Sequence, residues 1–256
     1  MCQYFTVIRH CGFGDYASTV NKVGVLLGPA YKFIVLNDYK YHNYHCKSLD
    51  FLSLFYKNPE IDLGIENFQH LNVSDLIKYN SGLNDDNKIL VITVNNVDHK
   101  LLDHIRYNTS IFQYTPQSNP FGHTKTNKAV LHIRASDILY LSSRRVISPI
   151  AVKGFIENFA HQRGGEALDL IICSDLEQHN DNTLFQQIHD FSNGNNIFVL
   201  KKIIGRGIKD TIETMDSLYY ANIIFSKNSS FIYLFTKNFI RIPDEYCFTK
   251  FKEEQK

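Results

Sequence analysis

Apolar residues along the chain fall mostly into short β-branched runs separated by stretches of helical period, which predicts alternating strands and helices. The first run, Gln3 to Arg9, stops at Cys11-Gly12-Phe13-Gly14, and Tyr16 to Leu27 after it has a helical pattern. A second strand is predicted over Tyr31 to Leu36, and the Tyr- and His-rich stretch from Asn37 to Lys47 has no clean period and reads as loop. Lys88 to Val94 (KILVITV) suits a buried parallel strand, with a weaker helical pattern over Asn95 to Arg106. Between Tyr107 and Asn127 the chain is rich in Asn, Thr, Ser, Pro and Gly and every hydrophobic period is interrupted, as in a linker.

Beyond that stretch the alternation is regular. Strands are predicted at Ala129–Arg134, Leu168–Cys173, Ile197–Leu200, Asn222–Phe225 and Phe239–Ile242. Helices are predicted at Pro149–Gln162, Asn182–Phe191, Asp210–Tyr220 and Ser229–Thr236. Strands alternating with helices of about 10–15 residues imply βαβ units and a parallel sheet, so the second half reads as a Rossmann-like layered fold. The expected organisation is two α/β domains, residues 1–115 and 116–256.

Composition narrows the function. With 27 Lys and Arg against 26 Asp and Glu in 256 residues, the chain lacks the overall cationic field of a general nucleic-acid binder. No apolar stretch of roughly 18 residues spans a membrane, and the opening residues lack a signal-peptide pattern, so a cytoplasmic protein is expected. Five cysteines with no CxxC pair support neither a disulfide framework nor a structural zinc site.

In open parallel sheets ligands lie beyond the carboxyl ends of the strands, which singles out four places. After the first strand come His10, Gly12, Gly14 and Asp15, a glycine pair that serves either as a plain turn or as a close-approach loop for a ligand. The GxGxxG spacing of a dinucleotide site is absent there. His132-Ile133-Arg134-Ala135-Ser136-Asp137 ends the strand after the linker, and alternation sends His132 and Arg134 to one side. The guanidinium of Arg134 can clamp a diphosphate; equally, an Arg134–Asp137 pair can close the strand end. Cys173-Ser174-Asp175 offers an N-cap or a contact to base or ribose. Finally, Ser226, Ser229, Ser230 and Phe231 lie where a strand runs into the predicted helix, whose N-terminus is an anion site or simply a capped end. An arginine and a serine-capped helix at neighbouring strand ends suit a nucleoside diphosphate leaving group.

HIRASD, then IICSD, then ANIIFSKNSSF, in that order and spacing, resembles the fucosyltransferase superfamily, which includes bacterial α-1,2- and α-1,6-fucosyltransferases and protein O-fucosyltransferases. Its pattern is HxRRxD, a strand ending in SD, and a strand leading into SSF; RHCGFGDYASTVN resembles the family's glycine-rich first loop. The chain departs from the family in carrying Ala135 where a second arginine is usual and Ser136 before the aspartate.

The resemblance implies a GT-B-like fold with an N-terminal acceptor-side domain and a C-terminal nucleotide-sugar domain. It implies an inverting, metal-independent glycosyltransferase using GDP-fucose as donor substrate and no further cofactor. It also implies Arg134 on the β-phosphate with Asp137 orienting it, Ser229 and Ser230 on the diphosphate oxygens, and His132 shaping the donor pocket. Ser174 and Asp175 would contact the nucleoside, and the proton acceptor stays open between His10 and Asp15. The expected partners are a nucleotide sugar and a glycan acceptor, on a lipid carrier at the inner face of the cytoplasmic membrane, in bacterial O-antigen or capsule synthesis. The alternatives are a GT-B enzyme with another nucleotide sugar and a catalytically silent glycan- or partner-binding α/β protein.

Overall fold

The computed structural model describes residues 3–36, 50–59, 68–78, 88–123, 127–135, 146–177, 181–227, 229–236 and 239–248. The described residues up to Thr115 form one compact unit and those from Pro116 onward form another. The chain is α/β, and its described residues form two all-parallel sheets, of four and five strands. Among the described residues, no helix is long and apolar enough to cross a membrane.

In the first unit, β1 (Gln3–Ile8), β2 (Tyr31–Phe33), β3 (Phe68–Asn72) and β4 (Ile89–Thr93) lie in the order β2-β1-β4-β3. Helix α1 (Phe13–Leu27) buries Phe13, Tyr16, Ala17, Val20 and Val23, an i, i+3, i+4 stripe that packs the sheet. Phe13 stacks on Phe51 of α2 (Phe51–Phe55) at 5.5 Å between ring centres and meets Phe112 edge-on at 5.8 Å. The segment around Phe112 is fastened to α1 by Asn21, whose Oδ1 accepts from the Ile111 N–H at 2.7 Å. Strand β2 ends earlier than its apolar run because Asn58 takes over the backbone of Val35, accepting from its N–H at 2.8 Å and donating to its carbonyl at 2.9 Å. Helices α3 (Val73–Lys78) and α4 (Asn96–Leu101) complete the unit. The Asn95 capping box starts α4, but the Leu102 N–H already turns back to the His99 carbonyl, so the helix stops well short of Arg106. The loop expected over Asn37–Lys47 lies outside the described residues.

In the second unit, β5 (Asn127–Ile133), β6 (Leu168–Ser174), β7 (Ile197–Ile204), β8 (Ile223–Ser226) and β9 (Ile240–Arg241) lie in the order β7-β6-β5-β8-β9. This is the doubly wound, Rossmann-like arrangement, with β5 and β6 almost wholly buried. Helices α5 (Pro149–Gln162), α6 (Asn182–Asp190) and α7 (Ile208–Tyr220) connect the strands. Ser148 caps α5, with Pro149 in its first turn, and Asp181 caps α6 through the Leu184 N–H at 2.7 Å.

The helix expected over Ser229–Thr236 is instead a three-residue 3-10 turn, Ile232–Leu234. Its Ile232 and Leu234 N–H groups bond three residues back, to Ser229 and Phe231, and the Phe231 and Phe235 rings meet edge-on at 5.4 Å. A run so rich in aromatic and β-branched residues has poor helix propensity, and without a regular helix the anion site expected at its N-terminus is lost.

Candidate functional site

The strand order of the second sheet reverses between β5 and β8, and in such sheets the ligand crevice lies outside the carboxyl ends at that reversal. Register brings the three sequence motifs to this edge. His132 of β5 stands opposite Cys173 of β6 on one side and Ser226 of β8 on the other, and Ile133 stands opposite Ser174.

Two contacts tie the motifs together. His132 Nδ1 lies 3.4 Å from Ser226 Oγ, both residues being buried. The Ala135 N–H donates to Asp175 Oδ1 at 2.7 Å, so Asp175 holds the exit of β5 rather than capping a helix. Ser174 Oγ accepts from the Leu176 N–H at 3.3 Å and the Ser174 carbonyl accepts from the Gly205 N–H at 3.0 Å. On the far side Lys227, itself buried, donates to the Ile242 carbonyl at 3.2 Å and pairs with Asp244, locking the exit of β8 to the chain after β9.

Between these strand ends lies a recess lined by His132, Ser174, Asp175, Gly205, Thr211, Thr214 and Phe231. Its volume is about 30 Å³, room for one or two waters. Ser229 Oγ is buried with no hydrogen-bond partner among the described residues, and Ser230 is half-buried beside it. Arg134 leaves β5 half-buried and lies outside the lining of the recess. Asp137 falls outside the described residues.

The glycine-loop residues belong to the other unit. Gly12 is the N-cap of α1, accepting from the Tyr16 N–H at 3.0 Å, but Gly14 lies within the helix and is no part of a turn. Asp15 is exposed in the first turn, its carbonyl accepting from Thr19 Oγ1 at 2.8 Å, and His10 is exposed before the helix.

Three lining residues escaped the sequence reading: Gly205, Thr211 and Thr214. The signal was present as Gly205-Arg206-Gly207, but the strand before it was expected to stop at Leu200 because Lys201 and Lys202 break the apolar run. Both lysines lie on the outer edge strand, Lys201 paired with Glu213 and Lys202 donating to the His189 carbonyl. Gly205 has φ +149°, and a Cβ there would stand 2.8 Å from Asp210 Oδ2. Below the recess, burial pushes the Cys173 thiol up to about 12, against hydrogen bonds from Thr214 and Ser217. That thiol is packed, not reactive.

No family model matches the chain, and no curated protein matches it in sequence.

Proposed function

We propose that the chain is a glycosyltransferase whose second unit binds a nucleotide sugar, GDP-fucose in the first instance, across the recess at the carboxyl ends of β5, β6 and β7, beside the β5/β8 reversal. The observation that carries this reading is the meeting of His132-Ile133-Arg134-Ala135, Cys173-Ser174-Asp175 and Ser226 at one carboxyl edge, joined by the Ala135–Asp175 hydrogen bond and the His132–Ser226 contact.

The proposed roles follow from what each group can reach. Asp175, fixed by the Ala135 N–H, lines the recess where a ribose or base would meet its carboxylate; Ser174 and His132 form the adjoining wall. The Ser229 hydroxyl, buried and without a partner among the described residues, is a ready donor to a diphosphate oxygen. With no regular helix behind it, that side chain, and not a helix dipole, supports the anion. Arg134 supplies the positive charge that stabilises the departing nucleoside diphosphate, attack coming from the opposite face of the sugar. The resemblance places the acceptor, a glycan of bacterial surface polysaccharide, on the first unit.

Incubating the protein with GDP-fucose and a panel of p-nitrophenyl glycosides, and following GDP release, tests this reading. Transfer by wild type and a loss of about 10²-fold or more in Arg134→Ala is expected, because a charge-stabilising contact is worth that much. Transfer that survives Arg134→Ala within about tenfold removes the electrostatic core of the reading.

A further inference from the structure

Helix α7 borders two hollows. Thr211 and Thr214 line the recess at the strand ends, while Ile208, Lys209, Ile212, Glu213 and Asp216 line a separate groove. At about 100° per residue the five groove positions share one side of the helix and the two threonines lie on the opposite side, so the helix itself divides the two hollows. The other lip of the groove is Gln117 and Ser118, and every residue lining it belongs to the second unit. Its volume is about 630 Å³, against about 30 Å³ for the recess, and small-molecule sites occupy about 300–1,000 Å³.

A buried carboxylate holds the lip in place. Asp216, only 1% exposed, accepts from the Gln117 N–H on Oδ1 at 2.9 Å. On Oδ2 it accepts from the Ser118 N–H at 2.9 Å and from the Ser118 hydroxyl at 2.7 Å. Three charge-assisted bonds from two consecutive residues fix this segment against α7, so the groove keeps its shape without a ligand.

The lining defines the ligand. Ile208 and Ile212, four residues apart on one side of the helix, form an apolar strip, and Ile208 is 45% exposed. Gln117, Lys209 and Glu213 put donors and acceptors beside that strip. Glu213 pairs with Lys201 of β7, so Lys201 and Lys209 balance the carboxylates of Glu213 and Asp216 and the groove carries no net charge. A diphosphate would face two carboxylates in the lining, and a wholly apolar ligand would cover polar groups without replacing their bonds to water. A neutral sugar meets both demands, laying its C–H face on the isoleucines while its hydroxyls donate and accept along the rim.

We infer that this groove is a binding site for a neutral saccharide, separate from the recess. The inference does not rest on the transferase reading and stands or falls by binding alone.

The test is NMR of the full chain labelled at its isoleucine δ1-methyl groups, titrated with D-galactose, N-acetyl-D-glucosamine, lactose and maltotriose. Saturable shifts of the Ile208 and Ile212 methyls with at least one of these sugars are expected, and inorganic pyrophosphate should not displace that sugar. Ile208→Glu places a charge on the apolar strip and, read at the Ile212 methyl, should weaken sugar binding at least about fivefold. An exposed acidic residue suits the first turn of a helix, so this variant should keep the wild-type melting temperature. Gln117→Ala, which removes the amide from the lip and leaves the helix untouched, should weaken binding at least about twofold and decides the matter alone if Ile208→Glu melts early.

If none of the four sugars moves either methyl, if binding in a folded variant falls by less than these factors, or if pyrophosphate displaces the sugar, the inference is overturned. None of these results bears on GDP binding at the recess.

Discussion

The bond between Ala135 and Asp175 is the tightest link between two of the motifs, and its removal has a calculable cost. Asp175 Oδ1 accepts from a backbone N–H at 2.7 Å, and Ala135 is fully buried, so Asp175→Ala leaves that N–H without its acceptor in a place water does not reach. Hydrogen bonds to a charged group contribute about 1.5–3 kcal/mol, and an orphaned buried donor costs about the same, so a loss of ~2 kcal/mol is expected. Asp175→Asn keeps an oxygen in position but not its charge, and neutral bonds are about half as strong, which sets its loss near ~1 kcal/mol. For a unit of this size about 3–4 °C accompanies each kcal/mol, so scanning calorimetry of the full chain should show the second unit melting ~6–8 °C lower in Asp175→Ala and ~3–4 °C lower in Asp175→Asn. If Asp175→Ala melts within about 1 °C of wild type, or Asp175→Asn falls as far as Asp175→Ala, the bond does not hold the strand exit as argued.

Other perturbations have equally direct readouts. Gly205→Ala forces a side chain onto φ +149° and should cost about 1–3 kcal/mol in urea titration; because the crowding atom is the movable end of Asp210, adding Asp210→Ala should recover little of it. Iodoacetamide labelling at pH 8 followed by peptide mapping should leave Cys173 unmodified until the protein unfolds, and Cys11, pushed up to about 11 by burial, labelled only slowly. The His99 pKa is lowered on folding from 6.5, so below that pH the unfolded chain binds a proton that the folded chain does not. Stability of the first unit should therefore fall as pH drops from 6.5 and level off below the folded pKa, and His99→Gln should flatten that slope in acid titrations followed by circular dichroism.

How legible the fold was depended on how each strand is buried. β4, β5 and β6 are central strands covered on both faces, so ILVIT, NKAVLHI and LDLIICS stand out as continuous apolar runs. Ser148 and Pro149 mark the start of α5 by cap chemistry alone. The edge elements were harder. β7 carries Lys201 and Lys202 on an outer strand, so the apolar run ends at Leu200, four residues before the strand does, and hides Gly205. β3, FQHLN, has only Leu71 buried, and so short and polar an edge strand has no period to read. In the site, spacing alone placed His132, Ser174, Asp175, Ser226 and Phe231 at strand ends, since a parallel sheet sends all its carboxyl ends to one edge. Spacing could not show that Asp175 bonds Ala135, nor that the Ser229 segment turns as a 3-10 helix, because both depend on contacts made after the strands have paired. The lowered pKa of His99 is hidden for the same reason: it comes first from burial and then from Arg9, against Asp103, groups brought together only in the folded unit.

Whether the β5/β8 edge takes a nucleotide is best measured by isothermal titration of the full chain with GDP, UDP, CMP and ADP, each without metal and then with magnesium. Saturable binding of GDP in preference to the other three, weakened at least about tenfold in Asp175→Ala, a difference of about 1.4 kcal/mol, is the predicted result. Heat from none of the four nucleotides, or GDP binding untouched by Asp175→Ala, would contradict the placement of a nucleotide sugar at this edge.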